Sequence, residues 1–374
     1  MAFRPAWAEV DRAAIRHNTR LIAARVAPAQ VCAVVKAYGY GHGPVQVADA
    51  ALNAGATWLG VALVDEGAHL RAAGQFTEPI LLLSEPPYSR MDDVVTHGLT
   101  PTVYTPAAVE AAAKAVASSA RREPLPVHVK VDTGMHRVGA APETAVRLAL
   151  AVNESPELRL EGLWTHLAVA DEPDHPFTST QVQRFDGVID ALAAHGVRPP
   201  ILHAANSAGA LTRPDARYDM VRCGIALYGL SPSPPLVGMA DLHPALALKA
   251  QVTLVKRIDA GEAISYGLRY RLERPSFIAT VPIGYADGVP RRLAALGGEV
   301  LIAGRRRPIA GTVTMDQITV DCGDDEAVAA GDEVVLIGRQ GTDEITAWDW
   351  ANRLDTIAYE VVSGISRRVP LDYR

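Results

Sequence analysis

The chain has 374 residues, of which 49% are hydrophobic and 21% are charged, and its formal net charge is −6. This length suits one large domain and a smaller one, and the acidic balance argues against nucleic acid as a partner. The chain has no apolar run that would span a bilayer and no apolar core of a signal peptide near its start, so we expect no membrane association. Cys32, Cys223 and Cys322 lack the spacing of a disulfide framework or a zinc site, which favours the cytoplasm.

The first two thirds of the chain alternate short apolar runs with longer amphipathic stretches, for example 107–122 and 180–196. Eight runs are predicted to be buried strands: VCAVV (31–35), TWLGVAL (57–63), PILLL (79–83), LTPTV (99–103), VHVKV (127–131), LEGLWTH (160–166), ILHAA (201–205) and YDMVR (218–222). Apolar strands that alternate with helices indicate a covered parallel sheet, and eight such units fit a (β/α)8 barrel of about 250 residues. The fourth and eighth runs are the least regular, so periodicity alone also allows a doubly wound sheet.

Near residue 230 the sequence changes character, because 230–239 is rich in Pro, Ser and Gly and predicts a linker. Five apolar runs follow without helices between them: QVTLVKRI (251–258), SFIATVPI (276–283), GEVLIAG (298–304), QITVDC (317–322) and DEVVLIG (332–338). One short helix is predicted near 347–354, and the three arginines at 305–307 are interpreted as a solvated turn. We therefore expect a barrel domain over 1–235 and a mainly-β domain over 236–374.

Lys36 is a candidate catalytic residue, because it lies where the first predicted strand ends and a glycine-rich loop begins. In a barrel, catalytic groups collect at this end of the strands. Partial desolvation lowers the pKa of an amine, and the neutral amine is the form that condenses with an aldehyde. On position alone, a lysine that extends into water is the commoner case. The alternation of Gly39, Gly41 and Gly43 favours close approach of the backbone to a ligand.

Three further polar residues follow predicted strands. Arg137 either points to solvent from a turn or binds an anion or a phenolate. Lys130 lies below it, and a second buried cation is costly unless something compensates its charge. His166 either packs at a strand end or contacts a planar ring. No second histidine or cysteine stands at ligand spacing, so we expect no metal site.

The ends of the last two barrel strands predict a phosphate site. Asn206, Ser207 and Gly224 supply backbone N–H groups and a hydroxyl among small residues, and barrels often bind phosphate in these loops. Arg222, at the end of the last strand, would lie inward of the phosphate. In the β domain, Tyr266 lies between Ser and Gly, and an exposed turn residue is the simplest interpretation of such a tyrosine.

Eight motifs, in this order, resemble those of the alanine racemases. They are VVKAYGYGHG (34–43), KVDTGMHRVG (130–139), THLAVAD (165–171), HAANSA (203–208), VRCGIALYG (221–229), SYG (265–267), PIGYADG (282–288) and TMDQ (314–317). The resemblance extends from 4–18 to 359–370. The family has a (β/α)8 barrel followed by a β domain, in agreement with the pattern described above.

The resemblance implies an enzyme that interconverts L-alanine and D-alanine with pyridoxal 5'-phosphate and supplies D-alanine for peptidoglycan. It implies a homodimer with shared active sites, in which Lys36 carries the cofactor as a Schiff base. Racemisation needs acid/base groups on both faces of the substrate. Lys36 would serve one face, and Tyr266 of the partner subunit the other. Arg222 and His203 would supply positive charge near that phenol.

The resemblance also assigns the remaining contacts. The cofactor would contact Tyr40, His166, Asn206, Ser207, Arg222, Gly224, Ile225 and Tyr359. The substrate would contact Arg137 and Met315, with His203 and Asp316 behind these residues. Lys130 matches a lysine that many members carry as a carbamate, whose negative charge would remove its conflict with Arg137. Arg222 stays protonated, so the pyridine nitrogen it faces does not, and we expect this to disfavour transamination.

Two positions depart from the usual motifs, Tyr38 and His136, and both flank the predicted cofactor loop. They leave the substrate preference open, so a racemase for serine or lysine is an alternative. A second alternative is an amino-acid decarboxylase of the same architecture, although such enzymes typically carry an acidic partner at the ring nitrogen where this chain has Arg222. A third is a protein that binds the cofactor without catalysis, which the β domain with Tyr266 argues against.

Overall fold

The structure is a computed structural model that describes residues 4–73 and 76–374. Its contacts divide the chain into two units. The barrel unit comprises Ala14–Gly39 and Pro44–His243, and the β unit comprises 4–13, Tyr40–Gly43 and Pro244–Arg374. The first strand, β1 (Ala6–Val10), therefore belongs to the β unit, whereas the sequence analysis assigned it to the barrel. The chain leaves the barrel unit at His243, eight residues beyond the expected boundary at 235.

The described part of the barrel unit contains eight parallel strands in a closed ring. They are β2 (Gln30–Val34), β3 (Trp58–Val61), β4 (Ile80–Leu82), β5 (Thr102–Val103), β6 (Leu125–Lys130), β7 (Leu158–Trp164), β8 (Ile201–His203) and β9 (Met220–Cys223). They pair in the orders β4-β3-β2-β9 and β5-β6-β7-β8. A parallel bridge from Leu81 to Thr100 joins these two sheets on one side, and the N–H of Arg222 donates to the carbonyl of Ala205 (3.0 Å) on the other.

All eight predicted strands are confirmed, and the pairing of β2 with β9 excludes the doubly wound sheet. Buried side chains from five strands form one cluster inside the ring: Cys32, Trp58, Leu81, Ile201 and Met220. Because β-strand side chains alternate between faces, these strands direct every second residue into this core. The ring therefore holds the ends of its strands, where the candidate residues lie, in fixed positions.

Helices cover this ring. Their bounds are Arg12–Val26, Pro44–Leu52, Val64–Ala73, Met91–Thr96, Pro106–Ala117, Pro142–Glu154, Phe177–Ala194 and Ser207–Thr212. Pro106–Ala117 illustrates why they form: the hydroxyl of Thr105 accepts the N–H of Ala108, a proline opens the first turn, and an alanine and valine face is buried. No helix among the described residues is long and apolar enough to cross a membrane.

The β unit is built from β1 and further short strands, which pair antiparallel except for the parallel pair β1–β20. Those strands are β10 (Leu246–Gln251), β11 (Leu254–Ile258), β12 (Ala263–Ile264), β13 (Tyr270–Arg271), β14 (Ser276–Val281), β15 (Glu299–Ile302), β16 (Arg305–Pro308), β17 (Ile318–Asp321), β18 (Glu333–Gln340), β19 (Asp343–Ile345) and β20 (Leu371–Tyr373). The largest sheet has the order β16-β15-β18-β10-β1-β20, and the others are β11-β14-β17 and β12-β13. The predicted helix is confirmed at Ala347–Leu354, and a second helix, Ala358–Ser363, was not predicted.

The arginine run at 305–307 is not a solvated turn, contrary to the sequence interpretation. It forms β16, which pairs with β15. Arg307 is buried, donates to the carbonyl of Cys322 (2.8 Å) and pairs with Asp325. Both terminal nitrogens of this guanidinium find acceptors, which offsets part of the cost of burying it. These acceptors lie 15 and 18 positions away in the chain, so composition alone did not reveal the strand.

Candidate active site

Lys36 follows β2 and opens a turn with unusual backbone geometry. Ala37, Tyr38 and Gly39 all have left-handed φ angles, of 52°, 56° and 61°. Each non-glycine residue in this conformation costs about 1–2 kcal/mol, so the turn needs support from elsewhere. Glu66 supplies it: one carboxylate oxygen accepts the N–H of Ala37 (2.6 Å), and the other accepts two N–H groups at the end of β3. Sequence reasoning missed Glu66, because it lies 29 positions from Ala37 in the chain.

The electrostatic surroundings of Lys36 favour its neutral form. Burial lowers the pKa of its amine, the positive charge of Arg137 lowers it further, and Glu66 partly opposes both effects. The neutral amine is the nucleophilic form. Burial and the nearby charge of Arg137 therefore distinguish Lys36 from a lysine that extends freely into water at a strand end.

Lys130, at the end of β6, is almost fully buried, with 3% of its surface exposed. Its Nζ lies 4.0 Å from the ring centroid of Trp164. Burial lowers its pKa to about 7, and Arg222, Arg137 and Lys36 add to this shift by charge repulsion. The expected conflict between cations is therefore present, and it involves more partners than Arg137 alone.

Arg222, at the end of β9, is held in a fixed orientation. Its guanidinium donates to the carbonyls of Thr165 (2.8 Å) and Ala204 (2.9 Å) and lies 2.9 Å from Nδ1 of His203. Because a guanidinium only donates, Nδ1 of His203 accepts, and its Nε2 donates to Nδ1 of His128 (2.8 Å). Burial and Arg222 lower the pKa of His203 well below its ordinary value, so this ring is neutral. The sequence analysis did not identify His128 or this chain of hydrogen bonds.

His166 and Trp164 complete the group around Arg222. Nδ1 of His166 lies 3.2 Å from the guanidinium. Burial lowers the pKa of His166, and Arg222 adds to the effect, so the ring is neutral. Trp164 stacks on His203 with 5.4 Å between ring centroids, and the guanidinium carbon of Arg222 lies 4.4 Å from the indole centroid. A planar apolar wall thus lies beside the buried cations.

Ser207 lies between the ends of β8 and β9. Its hydroxyl oxygen accepts the N–H of Gly224 (2.9 Å) and that of Ala226 (3.4 Å). The side chain of Asn206 accepts the N–H of Gly209 (3.0 Å) and so caps the helix that Ser207 begins. These contacts bring together the residues that the sequence analysis assigned to a phosphate.

The β unit carries Tyr266 on a strained loop. Ser265, just before it, has φ 63° and ψ −172°, a backbone conformation that residues other than glycine rarely adopt. The Ser265 hydroxyl donates to the carbonyl of Thr312 (2.7 Å), and the Thr312 hydroxyl donates to the carbonyl of Tyr266 (2.8 Å). Gly311 is needed here, because a Cβ at that position would lie 2.6 Å from the carbonyl oxygen of Ile264. The backbone at Tyr266 is fixed, whereas its side chain is 71% exposed.

Tyr266 borders an open cavity of about 600 Å³ within the β unit. Its lining residues are Tyr266, Tyr285, Arg291, Val313, Thr314, Met315, Asp316 and Gln317. Met315 is 52% exposed, and its carbonyl accepts the N–H of Ala286 (3.0 Å). Asp316 pairs with Arg368 at 2.6 Å. Tyr266, Met315 and Asp316 thus line the same cavity.

Tyr40 and Tyr359 also meet in the β unit, with 6.3 Å between their ring centroids. Tyr359 lies on the helix Ala358–Ser363, whose backbone approaches the glycine-rich loop. A Cβ on Gly41 would overlap the carbonyl oxygen of Val362, so the loop requires glycine at this position.

The two unusual positions lie where the backbone is left-handed. Tyr38 is in the turn after Lys36, and His136 has φ 53°. Nδ1 of His136 lies 3.1 Å from a carboxylate oxygen of Asp132, and its side chain is exposed. The predicted residues therefore form two groups. The barrel unit holds Lys36, Lys130, Arg137, His166, His203, Asn206, Ser207, Arg222, Gly224 and Ile225, and the β unit holds Tyr40, Tyr266, Met315, Asp316 and Tyr359.

Comparison with known proteins finds a matching family domain for each of the two units. Residues 10–232 match the family "Alanine racemase, N-terminal domain", and residues 245–373 match "Alanine racemase, C-terminal domain". An alanine racemase of Symbiobacterium thermophilum is 49% identical over 99% of this chain and 97% of its own length.

Solved structures give the same result. The crystal structure of alanine racemase from E. faecalis superposes with a TM-score of 0.93 at 40% identity, covering 99% of this chain and 98% of that one. The alanine racemase of Clostridium difficile gives 0.95 at 38% identity, covering 100% and 97%. The family profiles span nearly the whole chain, and the barrel with its following β unit is the shared fold. This chain belongs to the alanine racemase family.

Proposed function

We propose that this protein is an alanine racemase that interconverts L-alanine and D-alanine with pyridoxal 5'-phosphate as its cofactor. The main observation in support is the group of cations at the barrel strand ends, in which Lys36 has an amine of lowered pKa. Arg222, Arg137 and Lys36 lower the pKa of Lys130 by charge repulsion, and Arg137 does the same for Lys36. A site of this kind favours an anionic ligand with a carbonyl group.

The polar groups of the site suit the aldehyde, the phosphate and the ring of this cofactor. The amine of Lys36 would hold its aldehyde carbon, and the loops at Ser207, Gly224 and Ile225 would hold its phosphate, with Asn206 nearby. Tyr40 and Tyr359 would add phenol groups to the phosphate site, and His166 would lie against the ring. Arg222 offers only donors, so it suits an unprotonated ring nitrogen. When bound to the amino group of the substrate, the cofactor acidifies the Cα–H bond by electron delocalisation.

Proton transfer on two faces accounts for racemisation. We propose that the amine of Lys36 takes or returns the Cα proton on one face and that the phenol of Tyr266 does so on the other. Arg137 would bind the substrate carboxylate, and Met315 would border the substrate. His203 orients Arg222 in the barrel unit, and Asp316 holds Arg368 beside Met315 in the β unit.

We further propose a homodimer in which Tyr266 and Met315 complete the active site of the partner subunit. The exposure of Tyr266, Met315, Tyr285 and Leu268 supports this proposal, since neighbouring exposed large apolar side chains mark interaction surfaces. The product would serve peptidoglycan synthesis in the cytoplasm.

Carbamylation of Lys130 is part of the proposal. Its pKa of about 7 leaves a large neutral fraction at neutral pH. The neutral amine attacks the carbon of CO2, so that an N–C bond forms while one C–O π bond breaks and its electron pair moves to oxygen, and an amine proton leaves to solvent. The side chain then carries a negative charge, which attracts Arg137 and Arg222 instead of repelling them. Incubation with ¹³C-bicarbonate should give a carbamate NMR signal in the wild type that is missing in Lys130→Ala.

The proposed function is tested by incubating the purified holoprotein with L-alanine and measuring D-alanine by chiral chromatography. L-serine and L-lysine are assayed in parallel, and CO2 release is measured with ornithine, lysine and diaminopimelate. We expect D-alanine to form fastest and no CO2 to appear. Faster turnover of another amino acid would contradict the specificity. CO2 release, or cofactor absorbance without racemisation, would contradict the proposed reaction.

A further inference from the structure

We propose that His17, Asp241 and His243 form a binding site for a divalent transition metal, with Zn²⁺ the best match. The site lies on the barrel unit and shares no residue with the proposed active site. The sequence analysis expected no metal, because it searched for ligands at short spacing. Here the fold brings together residues that are 224 positions apart, from His17 to Asp241.

The three side chains converge on one point. Nε2 of His17 lies 3.8 Å from a carboxylate oxygen of Asp241, and Nε2 of His243 lies 3.4 Å from the same oxygen. One ligand atom from each residue lies within 4.8 Å of the other two. Zinc–ligand distances of about 2.0–2.2 Å place tetrahedral ligand atoms roughly 3.4 Å apart. Shifts on the order of 1 Å therefore convert this cluster into a coordination site.

The backbone that carries these ligands is already fixed. Asn18, which is fully buried on the helix Arg12–Val26, donates to the carbonyl of His243 (2.8 Å) and accepts the N–H of the same residue (2.8 Å). Asn18 also donates to the carbonyl of Leu227 (3.0 Å). His17 is its neighbour in the chain, so both imidazoles project from segments joined by one buried amide. Metal binding would therefore order only side chains.

The metal-free arrangement has two features that binding must change. The imidazole rings of His17 and His243 stack at 3.8 Å between centroids, with 7° between their planes. Both must rotate to direct their lone pairs at one ion. Nε2 of His17 also lies 2.8 Å from the carbonyl of Asp241, a hydrogen bond that the ion would replace. The three side chains are 37%, 78% and 52% exposed, for His17, Asp241 and His243, so the rotations are unobstructed by burial and water can be a fourth ligand.

The ligand types select the class of metal. Two imidazoles and one carboxylate suit Zn²⁺ and its neighbours Ni²⁺ and Cu²⁺, whereas Mg²⁺ and Ca²⁺ prefer oxygen ligands alone. The buried thiols of the chain lie among other residues and take no part in this cluster. We therefore expect Zn²⁺ to bind and Mg²⁺ not to compete.

Equilibrium dialysis of the chelator-treated holoprotein against Zn²⁺ tests the site. We expect saturable binding in the wild type and an affinity at least about tenfold lower in His243→Ala and in Asp241→Asn. The matched control is His195→Ala, which removes an exposed histidine at the end of the helix Phe177–Ala194. This variant should bind like the wild type. Binding of Zn²⁺ should also raise the Tm of the wild type but not that of His243→Ala.

Equal affinity in the wild type and His243→Ala would overturn the proposal, as would the absence of saturable Zn²⁺ binding in the wild type. A circular dichroism spectrum of metal-free His243→Ala that matches the wild type shows that lost binding does not reflect misfolding. If this variant misfolds, His17→Gln gives the same test from the other imidazole. Metal-free His243→Ala should racemise L-alanine like the wild type, so the metal site and the proposed function can fail independently.

Discussion

The Lys36 region and the Tyr266 loop differ in how the fold holds a proposed catalytic side chain. Lys36 is partly buried on a turn supported by Glu66, and both burial and the positive charge of Arg137 lower its pKa. Tyr266 has an equally well fixed backbone, through Ser265 and Thr312, but its phenol is largely exposed. The barrel unit therefore supplies both position and electrostatic environment, whereas the β unit supplies position only.

This difference predicts different consequences of substitution. Buried charges near Lys36 contribute to folding energetics, so changes there should alter both stability and activity. Changes on the exposed Tyr266 loop should alter activity with little effect on stability. Stability and activity measured on the same variants can therefore test the comparison.

The largest effect is expected for Lys36→Ala. Loss of the amine should abolish the cofactor absorbance band and reduce racemisation by at least about 10⁴-fold. The apoprotein should be more stable than that of the wild type, because the substitution removes a partly desolvated amine whose charged form Arg137 repels. Thermal melts of the apoprotein and absorbance spectra check both points. A variant that keeps the absorbance band and turns over alanine would refute the role of Lys36.

Tyr266→Phe should reduce racemisation of L-alanine by about 10²–10⁴-fold, because one face of the substrate loses its acid/base group. The cofactor absorbance should stay, and the free energy of unfolding should change by no more than about 0.5 kcal/mol. Tyr88→Phe, which alters an exposed tyrosine of the barrel unit, is the matched control and should keep full activity. Normal turnover in Tyr266→Phe would show that the two-base assignment is wrong.

Arg222→Glu tests whether a change in the buried part of the site alters both stability and activity. The substitution removes donors from the carbonyls of Thr165 and Ala204 and from His203, so it should destabilise the protein by at least about 2 kcal/mol. A carboxylic acid at this position can protonate the ring nitrogen, so transamination should increase. The measurement is pyruvate formed per D-alanine formed. An unchanged ratio in a folded variant would refute the proposed role of Arg222.

Lys130 should make stability depend on pH in CO2-free buffer. Its folded-state pKa of about 7 lies below an unfolded value of about 10.4, so between these values only the unfolded chain keeps the proton. The free energy of unfolding therefore gains a contribution that rises with pH, by up to about 1.4 kcal/mol per pH unit. Lys130→Met lacks this contribution. Its stability relative to the wild type should be greatest near pH 6 and smaller at pH 9, and a constant difference in urea titrations would contradict the buried-cation account.

The smallest effect is expected for Thr312→Val, which removes the hydrogen bond to the carbonyl of Tyr266. If the lost hydrogen bond raises the activation free energy by about 1 kcal/mol, kcat for L-alanine should fall roughly fivefold. Thr312→Ser keeps the hydroxyl and should restore the rate, while the Tm of both variants stays close to that of the wild type. A rate loss in Thr312→Ser equal to that in Thr312→Val would show that the methyl group matters instead of the hydroxyl.

The barrel strands were predictable from sequence because each is a compact apolar run between turn residues. β1 was missed because two of its three inward side chains are Ala6 and Ala8, which give a weak alternation of hydrophobicity. The predicted strand at 251–258 was only partly right, since the chain interrupts it at 252–253 and begins β10 earlier, at Leu246. Period-2 patterns in half-buried strands depend on partners that local sequence does not specify.

The candidate residues were found through their motifs, whereas the residues that hold them in position were not found. Glu66 acts through backbone N–H groups distant in the chain, and His128 acts through His203, so neither has a local signature. Arg222 was expected at the strand end, but its orientation follows from carbonyls that only the closed ring brings close. Motifs therefore identify the candidate groups, and the three-dimensional contacts determine how those groups are held.

β1 pairs with β10 and β20, so the first residues of the chain form part of a sheet whose other strands come from its last third. During synthesis on the ribosome the barrel residues emerge before those partners exist. The N-terminal segment therefore lacks its β-sheet hydrogen bonds until translation is nearly complete. A fragment that starts at Pro244 would lack the strand that joins β10 to β20, and a nascent chain stalled before that point would expose β1 without its partners.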